Sequence, residues 1–226
     1  MSKEKARNGD DDKGEVRLYT PVFRLSFPNL FVPKASEDYP DAEPKYGLSA
    51  IWTPSEFTDR EKKLWRAILA ELDTVALAAF GRHWKELPDN IKRGLRDGAG
   101  KDSPGYGPGT RFANITTKFA PGVVDKDGET DISKEDGNTH LIYPGCYCRA
   151  TVNVYSFGLK KGSKGRGVAL GLFSVQKIKD GQRLDNRRSA ADDFAGQEID
   201  DRWLDDEDDN DADGFDDGGD DDDDFN

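Results

Sequence analysis

The sequence is poor in the features from which several classes of protein are built. It has no uninterrupted apolar run of the ~18 residues that a transmembrane helix requires. Residues 1–14 lack the apolar stretch of a secretory signal peptide. The chain contains only two cysteines and two histidines. We therefore expect a cytoplasmic protein without membrane association and without a disulfide framework.

Basic residues are almost absent from the C-terminal end, and this absence divides the chain. Residues 192–226 contain 19 acidic residues and one arginine, a net charge of −18, whereas residues 1–191 carry a net charge of +6. Self-repulsion on this scale prevents packing, so we predict a disordered acidic tail over residues 192–226. The rest divides into a flexible polar arm, residues 1–14, and one folded domain, residues 15–191.

Alternating apolar residues predict at least five strands. These cover residues 16–27, 45–53, 111–119, 147–157 and 168–178. Four prolines predict a loop over residues 28–43. A helical period runs over residues 64–80, with Thr58 and Glu61 as a capping box before it and Gly81 as the glycine that ends it. A shorter helical piece is predicted at residues 89–96. No βαβ alternation is visible. The predicted fold class is α+β, mainly β with one long helix, arranged as a small, mostly antiparallel barrel.

The last two predicted strands flank a decapeptide rich in glycine and lysine, which predicts a long β-hairpin. Alternation places Cys148, Ala150 and Val152 on one face and larger polar and aromatic residues on the other. Binding of a single nucleic-acid strand requires cations that neutralise the phosphates and, beside them, aromatic rings on which the bases stack. A solvated hairpin whose lysines only confer solubility is the alternative. The predicted DNA contacts of the hairpin are Arg149, Tyr155, Phe157, Lys160, Lys161, Lys164 and Arg166.

A second aromatic and basic cluster lies on two earlier strands. Trp52 and Phe119 belong to it, but large rings at such positions are more often core than stacking platform. The candidate contacts with nucleic acid in this cluster are Lys45, Tyr46, Arg111, Phe112 and Lys118.

The acidic tail carries a few aromatic residues between its aspartates. Residues 205–226 contain fourteen acids and no base, and Phe215 and Phe225 are the candidate partner-binding residues. Because the body is positive and the tail negative, we expect the tail to mimic DNA and compete for the basic groove. A solubility tag is the alternative.

Signals of enzymatic activity are weak. Cys146 and Cys148 supply two metal ligands where a structural zinc site needs four. His83 and His140 stand alone, and the glycines of residues 105–109 lack the spacing of a dinucleotide-binding or Walker A loop. We therefore predict no catalytic residues, no metal and no cofactor.

Five phrases of the sequence, in this order, resemble a known family. They are RLSFPNLF at residues 24–31, KYGLS at 45–49, GTRFANI at 109–115, YPGCYCRA at 143–150 and GVALGL at 167–172. They are similar to the phage single-stranded-DNA-binding proteins of the Enterobacter-phage type, formerly a domain of unknown function. The resemblance implies an OB-fold, DNA binding without sequence preference, and an acidic C-terminal tail. Two departures are that Asn226 follows Phe225 at the end of the tail, and that the long helix follows the second strand rather than the third.

The leading prediction is a non-enzymatic single-stranded-DNA-binding protein of phage DNA replication or recombination, acting in the host cytoplasm. Its tail would recruit phage or host replication and recombination proteins. The main alternative is an acidic DNA mimic or interaction protein for a basic partner, and a metal-dependent nuclease is the third. The sequence leaves open both binding of double-stranded DNA and assembly into a homo-oligomer.

Overall fold

The computed structural model describes residues 16–35, 42–163, 165–185 and 193–198. The chain divides into two units, Met1–Asn186 and Arg187–Asn226. In the second unit, residues 193–198 form one turn, in which the Gln197 N–H donates to the Phe194 carbonyl. The helix and strands of the first unit are β1 Leu18–Tyr19, β2 Phe23–Lys34, β3 Lys45–Trp52, α1 Asp59–Phe80, β4 Arg96–Asp97, β5 Arg111–Thr117, β6 Gly122–Val124, β7 Tyr147–Phe157 and β8 Gly167–Lys179.

Five of the strands pair in a cycle, so that following the pairings from β7 leads back to β7. β7 pairs with β2, β2 with β3, β3 with β5, β5 with β8, and β8 with β7. The β5–β8 pairing is parallel and the other four are antiparallel. β1 adds to β7, β4 to β5 and β6 to β8. The prediction of a mainly β fold with one long helix is confirmed.

Both ends of α1 form as the sequence predicts. The Thr58 hydroxyl accepts a hydrogen bond from the Glu61 N–H, and the Glu61 carboxylate accepts one from the Thr58 N–H, which completes the capping box. Gly81 ends the helix in the left-handed conformation, with φ at 67°. The apolar stripe of α1 is buried in the core. No helix among the described residues combines the length and the apolar character needed to span a membrane.

β2 continues through the region that the prolines predicted to be a loop. It includes Pro28 and Pro33, and its pairing with β3 shifts register on both sides of Asn29. Proline has no N–H to donate, and it is tolerated where a bulge or an unpaired edge removes the need for one. The prediction of a loop is therefore wrong for residues 28–34, and residues 36–41 lie outside the described part of the chain.

Residues 89–96 are not helical. Instead, the Lys92 N–H donates to the Arg166 carbonyl, and the Lys92 carbonyl accepts from the Val168 N–H, at 2.9 and 3.0 Å. This segment thus runs beside the start of β8. The contact joins residues more than seventy positions apart, so local helical periodicity could not anticipate it.

The sheet has a core face, which packs against α1, and an outer face. Cys148, Ala150 and Val152 lie on the core face and are buried, as the alternation predicts. On the outer face, residues 98–110 form a loop that we call the strap. The strap covers Ile51 and Phe112, which are also buried but outside the main core cluster.

Candidate nucleic-acid interface

The uncovered part of the outer face, which we call the open half, carries two adjacent grooves. The first has a volume of about 500 Å³. Its floor is formed by Thr116, Asn153 and Gly171, and Tyr155 stands at its side. Alternation brings these residues together, because each lies at an outward position of its own strand. The groove is bordered by two cations and an exposed ring, Lys45, Lys118 and Phe119.

The second groove, of about 460 Å³, is lined by the next outward residues of the same three strands, Asn114, Phe157 and Ala169. Phe157 lines it, and its ring centroid is 6.4 Å from that of Tyr155. The lining of this groove also includes three cations and one amide that were not predicted from the sequence: Lys92, Arg93, Arg96 and Asn114. The cations lie in the segment predicted to be a helix. Two non-local pairings, of Lys92 with β8 and of Arg96 with Phe112 of β5, bring this segment to the groove, so no local signal could have found them.

The hairpin loop between β7 and β8 presents exposed cations next to these grooves. Lys160, Lys161 and Arg166 are exposed, whereas Lys164 lies outside the described residues. The loop requires a glycine at its first position. Gly158 has a φ of 73°, and a Cβ there would lie 1.8 Å from the Gly165 carbonyl oxygen.

Two predicted contacts already have partners on the surface. Lys118 forms an exposed ion pair with Glu43, with Nζ and Oε2 2.5 Å apart, and this cation lowers the pKa of the Glu43 carboxyl. Arg149 donates from Nε to the Gln176 side chain at 2.7 Å. An exposed ion pair such as that of Lys118 is weak, so a phosphate can replace the Glu43 carboxylate.

Two other predicted contacts lie on a different side of the sheet. Tyr46 lies an even number of residues from Leu48 and Trp52 on β3, so it is on the same face of the strand as these two residues, which face the core. Arg111 is paired with Trp52 across the strands, and its guanidinium contacts Asp97 at 2.6 Å. Neither residue is brought to the grooves of the open half.

Phe112 is on the outer face but is not open to a ligand. Only 5% of its surface is exposed, and the Tyr106 ring of the strap meets it edge-on at 5.1 Å. The Arg96 guanidinium lies over the Phe112 ring at 4.3 Å. Burial lowers the pKa of Arg96 from its usual value. Phe112, its buried neighbour Ile51 and the strap form what we call the covered half.

One further ring on this face was not singled out from the sequence. Phe27, in the bulged part of β2, is 60% exposed and has a positive φ of 45°. The Lys101 ammonium of the strap lies 4.8 Å from its ring centroid. The Phe-Pro dipeptide at this point could have indicated an irregular strand, but not the approach of a lysine more than seventy residues away.

The cysteines and histidines of the described residues lie apart from the two grooves. The described residues contain no cluster of three or more metal-ligating side chains. The Cys146 and Cys148 sulfurs lie 3.7 Å apart in the core, where the hydrogen bond with the Cys146 thiol and, after it, burial raise the pKa of Cys148. His83 contacts Asp73 at 3.3 Å. The candidate tail residues Phe215 and Phe225 lie outside the described part of the chain.

Comparisons with known proteins agree on one family. The family model described as Enterobacter phage Enc34, ssDNA-binding protein, matches residues 16–209. The structure of the single-stranded DNA-binding protein from bacteriophage Enc34 is 19% identical, with a TM-score of 0.57 over 78% of this chain and 88% of that one. The same phage protein in complex with ssDNA is 20% identical, with a TM-score of 0.59 over 75% of this chain and 89% of that one. The comparison with curated proteins found no match.

Proposed function

The chain belongs to the family of the Enterobacter phage Enc34 ssDNA-binding protein, and from this we propose that it binds single-stranded DNA through the open half of its outer face. The observation that carries the proposal is the Tyr155–Phe157 ring pair, which lies beside two grooves bordered by cations. Rings that stack on bases and cations that neutralise phosphates make up a surface that holds a single strand without reading its sequence.

We propose that the strand ring is a small barrel with the strand order of an OB-fold. β2, β3 and β5 form an antiparallel meander, β5 pairs in parallel with β8, and β7 lies between β8 and β2. In OB-folds, the face of the second and third strands and the loop between the fourth and fifth bind oligonucleotides. Those elements correspond here to the outer face of β3 and β5 and to the loop after β7.

The proposed contacts follow from the placement of each side chain. Bases stack on Tyr155 and Phe157, with Phe119 beside them. Phe112 supports the surface from beneath the strap, and Tyr46 and Arg111 serve the fold. The cations proposed to neutralise phosphates are Lys45, Lys92, Arg93, Arg96, Lys118, Arg149, Lys160, Lys161 and Arg166. Lys164, which lies outside the described residues, is proposed from its position in the sequence alone.

We propose that the protein acts without catalysis in phage DNA replication or recombination, in the cytoplasm of the host. The folded domain over residues 15–191 binds DNA. The acidic tail, residues 192–226, competes with DNA and recruits partner proteins through Phe215 and Phe225. The opposite charges of the two segments, +6 for residues 1–191 and −18 for the tail, support the competition.

A mobility-shift experiment tests the binding. The full chain and residues 1–191 are titrated against single- and double-stranded oligonucleotides at two salt concentrations, with and without Mg²⁺. We expect a shift of single strands by both chains, tighter binding by the shorter one at low salt, and no shortening of the DNA. If neither chain shifts single strands, the proposed function is wrong. Equal affinity of the two chains at low salt contradicts the competition by the tail.

A further inference from the structure

We propose that Phe27 and Lys101 form a second anchor for the DNA strand, in which a base stacks on the Phe27 ring and the adjacent phosphate pairs with Lys101. This inference rests on the proposed function and assigns DNA contacts to two residues that were not among the contacts predicted from the sequence. It extends the DNA path from the open half, across the middle of the sheet, to β2.

The backbone of Phe27 is the first observation. A bulky residue with a φ of 45° is a conformational outlier, and such strain persists only where the surrounding structure imposes it. Here the register shift after Ser26 imposes it, and the result is a ring that is 60% exposed. Burial gives this ring little stability in return, since most of its surface faces solvent. Bulges re-aim side chains at binding sites, and this one aims an aromatic ring outward.

The surroundings of Lys101 are the second observation. Its ammonium lies 3.9 Å from the Tyr106 ring centroid, 4.8 Å from that of Phe27 and 4.9 Å from that of Phe112. No carboxylate of the described residues lies within ion-pair distance of it. The cation is thus half-buried, held by rings, and without an anion in the described part of the chain. A phosphate beside Phe27 would provide that anion.

The two anchors lie a short distance apart across the sheet. Between them, Ser26 and Ser49 are only 3% and 5% exposed, so the DNA strand passes over the groups that cover these two serines. Asn114 lines the groove of Phe157. Across the strands Asn114 is paired with Ser49, whose hydroxyl donates to its side chain at 2.7 Å, and Ser49 is paired with Ser26, the neighbour of Phe27. Two inter-strand steps of about 4.8 Å, roughly 10 Å in all, therefore lead from the groove to the second anchor.

The substitution Phe27→Gly separates this role from a purely structural one. Glycine adopts a positive φ without strain, and this gain offsets the greater conformational entropy that glycine gives the unfolded chain, so the variant should melt close to the wild-type temperature. We expect the variant to bind a long oligonucleotide of about 16 nucleotides at least about fivefold more weakly than the wild type, because one stacked base is lost. A short oligonucleotide of about 4 nucleotides, which the open half accommodates alone, should bind both proteins equally.

Val32→Gly is the matched control, because Val32 lies on the same strand and is 57% exposed. It should lower the melting temperature without changing either affinity. Lys101→Met should reduce the salt slope for the long oligonucleotide by about 0.7, the value for one phosphate contact. The inference is overturned if Phe27→Gly leaves the long-oligonucleotide affinity unchanged, weakens both oligonucleotides alike, or lowers the melting temperature as much as Val32→Gly does. If the wild type binds neither oligonucleotide, the proposed function itself fails.

Discussion

The open and covered halves of the outer face contain the same kinds of side chain but use them differently. In the open half, Tyr155 and Phe157 border grooves, and the cations around them face solvent or form exposed pairs. In the covered half, the Phe112 ring is enclosed by Tyr106, Arg96 and Lys101. Aromatic and basic residues on neighbouring strands therefore do not by themselves identify a DNA contact. An aromatic ring on this face is available to DNA only where the strap does not already cover it.

The rings of the covered half and of the open half should also contribute differently to the free energies of folding and of DNA binding. A ring that is 5% exposed contributes to folding through the apolar area it removes from water, and a ligand can reach it only after the strap moves. A half-exposed ring beside a groove contributes less to folding and keeps a face for a base. Substitutions in the two halves should consequently change different quantities, which the following predictions use.

Phe112→Ala should have the largest effect, and on stability. Removing a buried aromatic side chain costs about 3–5 kcal/mol of unfolding free energy, and urea titration measures it. DNA affinity per folded molecule should fall less than in Phe157→Ala, because Phe112 acts only through the cations that lie over its ring, Arg96 and Lys101. A stability loss well below this range together with a loss of DNA affinity would move Phe112 from the covered half to the binding surface and return it to the stacking role predicted from sequence.

Phe157→Ala, the matched substitution in the open half, should act mainly on binding. We expect single-strand affinity to fall by about 1–3 kcal/mol, the contribution of one stacked base, with a smaller change in unfolding free energy than for Phe112→Ala. Fluorescence anisotropy with a labelled oligonucleotide gives the affinity, and thermal melting of the same sample gives the stability. Tyr155→Ala should behave alike. Lost stability with unchanged affinity would place these rings in the core.

The sequence predicted what short-range patterns determine. The β7 strand occurs at residues 147–157 as predicted, and α1 has both predicted caps, because alternation, helical period and capping are local properties. The passage of β2 through Pro28 depends on bulges set by β3. The extended course of residues 89–96 depends on β8, and the enclosure of Phe112 depends on the strap. Each is a long-range contact, so the sequence indicated the open half and could not distinguish it from the covered one.

The salt dependence of DNA binding should distinguish cations of the hairpin loop, which are proposed to contact phosphates, from cations on the core side of the sheet, which are not. The double substitution Lys160→Met and Lys161→Met removes two exposed charges of the hairpin loop, so the slope of log affinity against log salt should become shallower by about 1.4. Arg111→Met is the control, because this guanidinium lies on the core side of the sheet beside Asp97. An unchanged slope in the double variant, or an equal change in the control, would show that the loop is not where phosphates bind.

Glu43→Gln should have the smallest effect, an increase in DNA affinity of no more than about fivefold, because it releases Lys118 from a weak surface pair. The effect should depend on pH with a definite sign. Lys118 lowers the pKa of Glu43, so the wild-type carboxylate stays ionised down to that lowered pKa. As the pH falls through it, the carboxyl becomes neutral like glutamine, and the two affinities should converge. Asp59→Asn, which also removes one negative charge but lies beside Lys62 at the start of α1, controls for net charge. An equal increase in that variant would show that overall charge, rather than the release of Lys118 beside the open half, sets the affinity.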